Sequence, residues 1–227
     1  MTLENFIKRV RQSIPTATAQ VADDVDIIAV LNQGVIDVTS QSGCLKSNKK
    51  FDVVSGQSEY VLSSVIGDYL NVDKSGLWWN NGTDFREVYP RTLEALDQQI
   101  PNWRTLTDGD PRWYSIDGDI ITIVQTPSTS LTQGFWLYYI KSPVAMANPT
   151  DNSFVGSGIA LPQLSIFDEA IIRYAVWKIS PMLTKDTLLD ITEQAYLKEL
   201  ARQINNYNNR RDLGSDAKFR STPIDAE

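Results

Sequence analysis

The chain has 227 residues, 42% of them hydrophobic and 22% charged, a globular composition long enough for one large domain or two small ones. It has no histidine, which removes the commonest general base and every Ser-His, Cys-His or His-metal arrangement. Its formal net charge of −7 disfavours a nucleic-acid reader, and its single cysteine, Cys44, excludes an intrachain disulfide framework.

The N-terminus carries charges inside its apolar pattern and does not read as a signal peptide. Leu3, Phe6, Ile7 and Val10 recur at helical spacing, and Pro15 closes this first helix. A second helix starts in "ADDVDIIAVLNQGVIDV", where Asp23, Asp24 and Asp26 favour the positive end of the helix dipole. Val25, Ile28, Ala29, Val35 and Ile36 are read as its apolar stripe, with Asn32 inside it and Gly34 as a mild weakness.

From Phe51 to Lys141 the pattern is that of short strands divided by Gly and Ser. Asn81-Gly82 and Asp117-Gly118 mark hairpin turns, "RTLEALDQQIP" a short crossing helix, and "GFWLYYIKSP" an aromatic strand stopped by Pro143. This grammar predicts a small antiparallel sandwich or barrel. On neighbouring strand positions, Trp78 and Trp79 must face opposite sides.

Residues 144–160 are rich in Ala, Asn, Gly, Ser and Pro and read as a linker. Helical period returns after Pro162, with Ser165 and Asp168 spaced as a capping box and Phe167, Ile171, Tyr174 and Ala175 on one face. A last helix is expected from Asp186 to Tyr207, with Leu189, Tyr196, Leu200, Ile204 and Tyr207 aligned. Gly214 and Pro223 are expected to prevent helix beyond it.

The fold class expected is therefore α+β: a four-helix bundle-like core with an inserted antiparallel β-rich block. Its parts are a first helical pair over 1–45, the insertion over 46–143, the linker over 144–160, a second pair over 161–207 and an extended tail over 208–227. In that tail Arg210, Arg211, Lys218 and Arg220 are too many cations for a helix cap alone, and Phe219 is an isolated aromatic.

Three stretches carry a resemblance to a known family: "ADDVDIIAVLNQGVIDV", "IPNWRTLTDGDPRWYSIDGDIITIVQTPSTSLTQGFWLYYIKSP" and "IALPQLSIFDEAIIRYAVWKI". The chain resembles the head-to-tail adaptor, or connector, proteins of short-tailed bacteriophages. The resemblance implies a structural virion protein at the head–tail junction, assembled in the host cytoplasm. It implies a ring of roughly a dozen copies beneath the portal, each making the same head-to-tail contact. DNA passes through that ring without specific binding, and the tail nozzle protein sits below it. The family's portal-binding element maps onto Asn208 to Glu227, so Asn208, Arg210, Arg211, Lys218, Phe219 and Arg220 are the candidate portal-contact residues. The resemblance brings no catalytic residue, no metal, no cofactor and no membrane association.

Two other function classes compete. Trp78, Trp79, Trp113 and Trp136 suit a carbohydrate-binding module. Asp108, Asp110, Asp117 and Asp119 invite a glycosidase or calcium reading, yet Asp-Gly pairs are turn signals and the calcium-loop pattern is incomplete.

Overall fold

The computed structural model describes residues 1–14, 22–100, 102–106, 109–180 and 189–218, with the backbone alone over 189–191 and 211–218. Two compact units share the chain. One is continuous, Gly43–Ser142; the other is built from Met1–Ser42 and the chain from Pro143 onward.

The continuous unit is strand-rich. Its strands are β1 (Lys46–Val53), β2 (Glu59–Val61), β3 (Tyr69–Asn80), β4 (Phe85–Pro90), β5 (Trp113–Asp117), β6 (Ile120–Val124) and β7 (Leu131–Lys141). They form one sheet in the order β1-β7-β3-β4-β5-β6-β2. Every pairing is antiparallel except β4–β5, which run parallel over Tyr89↔Trp113 and Pro90↔Tyr114. The parallel step exists because the chain leaves β4 through a short helix, α4 (Leu93–Gln99), before re-entering at β5. Thr92 starts α4 by accepting the Ala95 N–H on its side-chain oxygen. A second short helix, α3 (Leu62–Val65), follows β2.

A flat sheet of seven strands would hold its edges about 29 Å apart, given six steps of about 4.8 Å. Here Phe51 of edge strand β1 and Tyr60 of edge strand β2 meet with ring centroids 5.5 Å apart. The sheet is therefore curled into a half-barrel around its own core. Phe135 lies at the centre, 5.3 Å from Phe51, 5.7 Å from Tyr60 and 5.3 Å from Trp79. Leu77, Val88, Ile121 and Leu137 belong to the same buried set. Both expected hairpins are present. Gly82 and Gly118 have positive φ, and Asn81 secures the first turn by accepting the Thr83 and Asp84 N–H groups on its side chain.

The helical unit contains α1 (Leu3–Ser13), α2 (Asp24–Ser42), α5 (Asp168–Ile179) and α6 (Leu189–Lys218), with a 3₁₀ turn over Pro162–Phe167 leading into α5. The four do not share one bundle seam. α5 is a hub, packed against α1, α2 and α6. Ala170, Ile171, Ile172, Tyr174, Ala175 and Ile179 are all buried, so α5 is covered on more than one side. Residues 143–161 belong to this unit as a bonded loop. Asn32 clasps Met146 through two hydrogen bonds, from its side-chain N–H₂ to the Met146 carbonyl at 3.0 Å and to its Oδ1 from the Met146 N–H at 2.9 Å. Phe154 in the same loop is buried.

These facts correct the expected four-helix bundle-like core. Six α-helices and a curled, mixed seven-stranded sheet are found among the described residues, and the molecule is a strand-rich α+β protein. The sheet encloses an aromatic core of its own, where a helical bundle would gather the apolar faces of four helices into one.

Candidate interaction surfaces

Two of the carboxylates that suggested sugar chemistry make structural contacts. Asp119 caps α3, accepting the Ser63 N–H at 2.8 Å and the Ser63 hydroxyl at 2.5 Å. Asp110 pairs with Arg86 at 3.1 Å, and Asp117 is the last β5 residue before the turn into β6. Asp108 lies outside the described residues. Among the described residues no group of three potential metal ligands comes together. The Ser165–Asp168 capping box does not form: Ser165 donates to the Pro162 carbonyl at 2.7 Å, and Asp168 pairs with the Met1 ammonium at 3.1 Å.

The shifted titrations are scattered over buried tyrosines and carboxylates and over exposed ion pairs such as Arg104–Asp97. Burial raises the Asp73 pKa, but the Lys46 ammonium at 2.6 Å, with help from Ser75 and the Lys74 N–H, outweighs it and holds the carboxyl low. Burial pushes the Tyr114 hydroxyl up to about 12. Tyr196 is likewise raised by burial and by its hydrogen bond to Asp37. Active sites draw such groups together on a cavity wall; here Tyr114 lines a cleft with Arg91 and Asp117, and the other shifted groups named above do not line it.

The outer face of the sheet carries an aromatic cluster. Register places Lys50, Trp136, Trp78 and Glu87 side by side across β1, β7, β3 and β4. Trp79 is buried and Trp78 half-buried, the alternation that the strand period demands. Trp78 stacks on Phe85 at 4.8 Å, Phe85 sets its edge against Trp136 at 5.0 Å, and the Lys50 ammonium sits 3.7 Å over the Trp136 ring. A sugar platform presents an open ring face. In this cluster the rings cover one another, and Phe85 remains 46% exposed at the margin.

The C-terminal candidates divide three ways. α6 runs on through Gly214 to Lys218, so Asn208, Arg210, Arg211 and Lys218 lie on one continuous helix. Asn208 is half-buried and Arg210 exposed. The side chains of Arg211 and Lys218 fall where the backbone alone is described, and Phe219 and Arg220 lie outside the described residues. Just before this segment, Tyr207 packs on Phe167 with centroids 5.6 Å apart.

One surface escapes sequence reading. The buried face of α2 is Ile27, Val30, Leu31, Val35 and Val38. The expected stripe is largely the opposite face: Val25 is 69% exposed, Ile36 is 43% exposed, and Ala29 is exposed between them. α2 carries apolar residues on two sides, and a helical wheel does not say which of them meets α5. The second face is itself the available signal, since a surface helix that carries two apolar faces has one to spare for a partner.

No helix among the described residues is long and apolar enough to cross a membrane. No curated protein matches the chain. The model of the SU10 adaptor protein family matches residues 1–222, nearly the whole length. With that match covering nearly all of a chain that has an aromatic cluster on its sheet and an exposed apolar face on α2, the chain belongs to the SU10 adaptor protein family, a family of phage adaptor proteins.

Proposed function

We propose that this adaptor is a structural virion protein that joins portal to tail at the head–tail junction. Copies form a ring, roughly a dozen in number, that continues the DNA channel and anchors the tail nozzle. Residues 208–227, through Asn208, Arg210, Arg211, Lys218, Phe219 and Arg220, dock on the portal protein. Guanidinium groups there pair with portal carboxylates, and Phe219 fills an apolar pocket. The observation that carries this reading is a family match spanning both units of the chain. A formal charge of −7 per copy agrees with it, because an acidic ring repels phosphate and leaves passing DNA mobile.

The test is electron microscopy of the full chain mixed with its portal protein. Closed rings seated on the portal are expected, and they should vanish for the Arg210→Glu, Arg211→Glu variant while its melting temperature stays within a degree or so of wild type. A variant that still seats normally removes the tail from the proposal. Tight, salt-sensitive DNA binding by the assembled ring would contradict the channel role.

A further inference from the structure

The spare face of α2 has a counterpart on the same unit. Leu197 of α6 is 48% exposed and Ala201 is exposed one turn on, on the side of the helix away from buried Tyr196 and Leu200. α2 and α6 both pack on α5 through their other faces, so among the described residues each of the two helices shows a separate exposed apolar patch.

The fringes of these faces have opposite charge. At the start of α2, Asp23 and Asp26 are exposed and make no ion pair among the described residues, while Asp24 is tied to Arg11 at 2.7 Å. Beside Leu197 and Ala201, Lys198 is exposed and makes no ion pair among the described residues, while Arg202 is held by Glu199 at 2.6 Å.

We propose that the outer face of α2 in one copy packs on the outer face of α6 in the next, with Asp23 and Asp26 meeting Lys198. The occupant is a second copy because the complementary surface is on the chain itself. Charge also bears on the symmetry. α2 carries carboxylates and no cation, so a two-fold contact of α2 on α2 gives Asp26 no opposite charge whatever its register. A contact of α2 on α6 joins Asp23 and Asp26 to Lys198, and a repeated contact of that kind closes into a ring when its rotation permits. The inference rests on the ring reading above and adds the two faces that make the joint.

Thiol cross-linking of the full chain, assembled with its portal protein, tests it. Cys44 is buried and leaves the background low. Ala29→Cys and Ala201→Cys alone should give no cross-linked species with a bifunctional maleimide. The double variant should give a ladder of dimer, trimer and higher multiples. Dimers from either single variant would show a two-fold contact and overturn the assignment. Rings in the microscope with no ladder from the double variant would overturn the faces and leave the ring reading standing; no rings from wild type would remove both. Independently, Asp26→Lys should reduce ring yield at least tenfold, and adding Lys198→Glu in the same chain should restore it. Failure of the second change to restore assembly counts against the pairing.

Discussion

Asp151 shows how one carboxylate organises a loop. Its side chain accepts the Asn148 N–H at 2.8 Å and the Ala147 N–H at 2.7 Å, and its own carbonyl accepts the Leu3 N–H at 2.8 Å. The loop is thereby bonded to the start of α1. The two N–H donors, Asn148 first, hold the Asp151 pKa below the ordinary carboxylate value. A depressed folded-state pKa makes a stabilising contribution that is complete above the unfolded value, about 4, and is lost as pH falls through the folded one. Asp151→Asn should therefore lower the melting temperature at pH 7, and its gap from wild type should narrow as pH drops below about 4. Melting curves from pH 3 to 7 check this; a constant gap would mean that the charge is irrelevant.

At the scale of elements, α2 and α5 approach closely because Gly34 has no side chain. A Cβ placed there would lie 3.0 Å from Tyr174 Cδ1 and 3.2 Å from its Cγ. The ring cannot retreat easily, since it meets Tyr196 at 5.2 Å and Trp177 at 5.5 Å. Alanine would gain up to about 1 kcal/mol in helix propensity. Crowding a packed core costs about 1–3 kcal/mol. Gly34→Ala is expected to lose about 1 kcal/mol net and Gly34→Val about 3 kcal/mol, read from denaturant midpoints. A stabilised alanine variant would mean that the α2–α5 contact has room to spare. What reads as a helix weakness in the sequence is thus the contact point of two helices.

For the whole molecule, the strand-rich unit enters and leaves the helical one through neighbouring strands. Lys141 N–H donates to the Leu45 carbonyl at 2.9 Å, and β1 pairs with β7 along its length. Residues 42 and 143 can then be rejoined by a short Gly/Ser linker. Replacing 43–142 in this way should leave a soluble helical protein with a cooperative melt by circular dichroism, because α5 and the helices around it bury their own apolar residues. Loss of all helical signal would show that the helical unit depends on the sheet.

Much of this protein is legible in its sequence, and the rest is not for a definite reason. Turns and short elements are encoded by neighbours in the chain: Asn81-Gly82 and Asp117-Gly118 make hairpins, Thr92 caps α4, and period two sends Trp79 inward and Trp78 outward. The absence of histidine, likewise a property of sequence alone, removes every arrangement that needs an imidazole. The tertiary structure decided what depends on distant partners. The strand pattern left a sandwich and a barrel both open, and the curl that brings Phe51 to Tyr60 was settled by closing seven strands around Phe135. The passage of α6 through Gly214 overrides a propensity cost of about 1 kcal/mol, small enough for its context to outweigh. The face of α2 that is buried was chosen by α5, because a helix apolar on two sides has no internal preference between them, and that choice left Val25, Ala29 and Ile36 exposed.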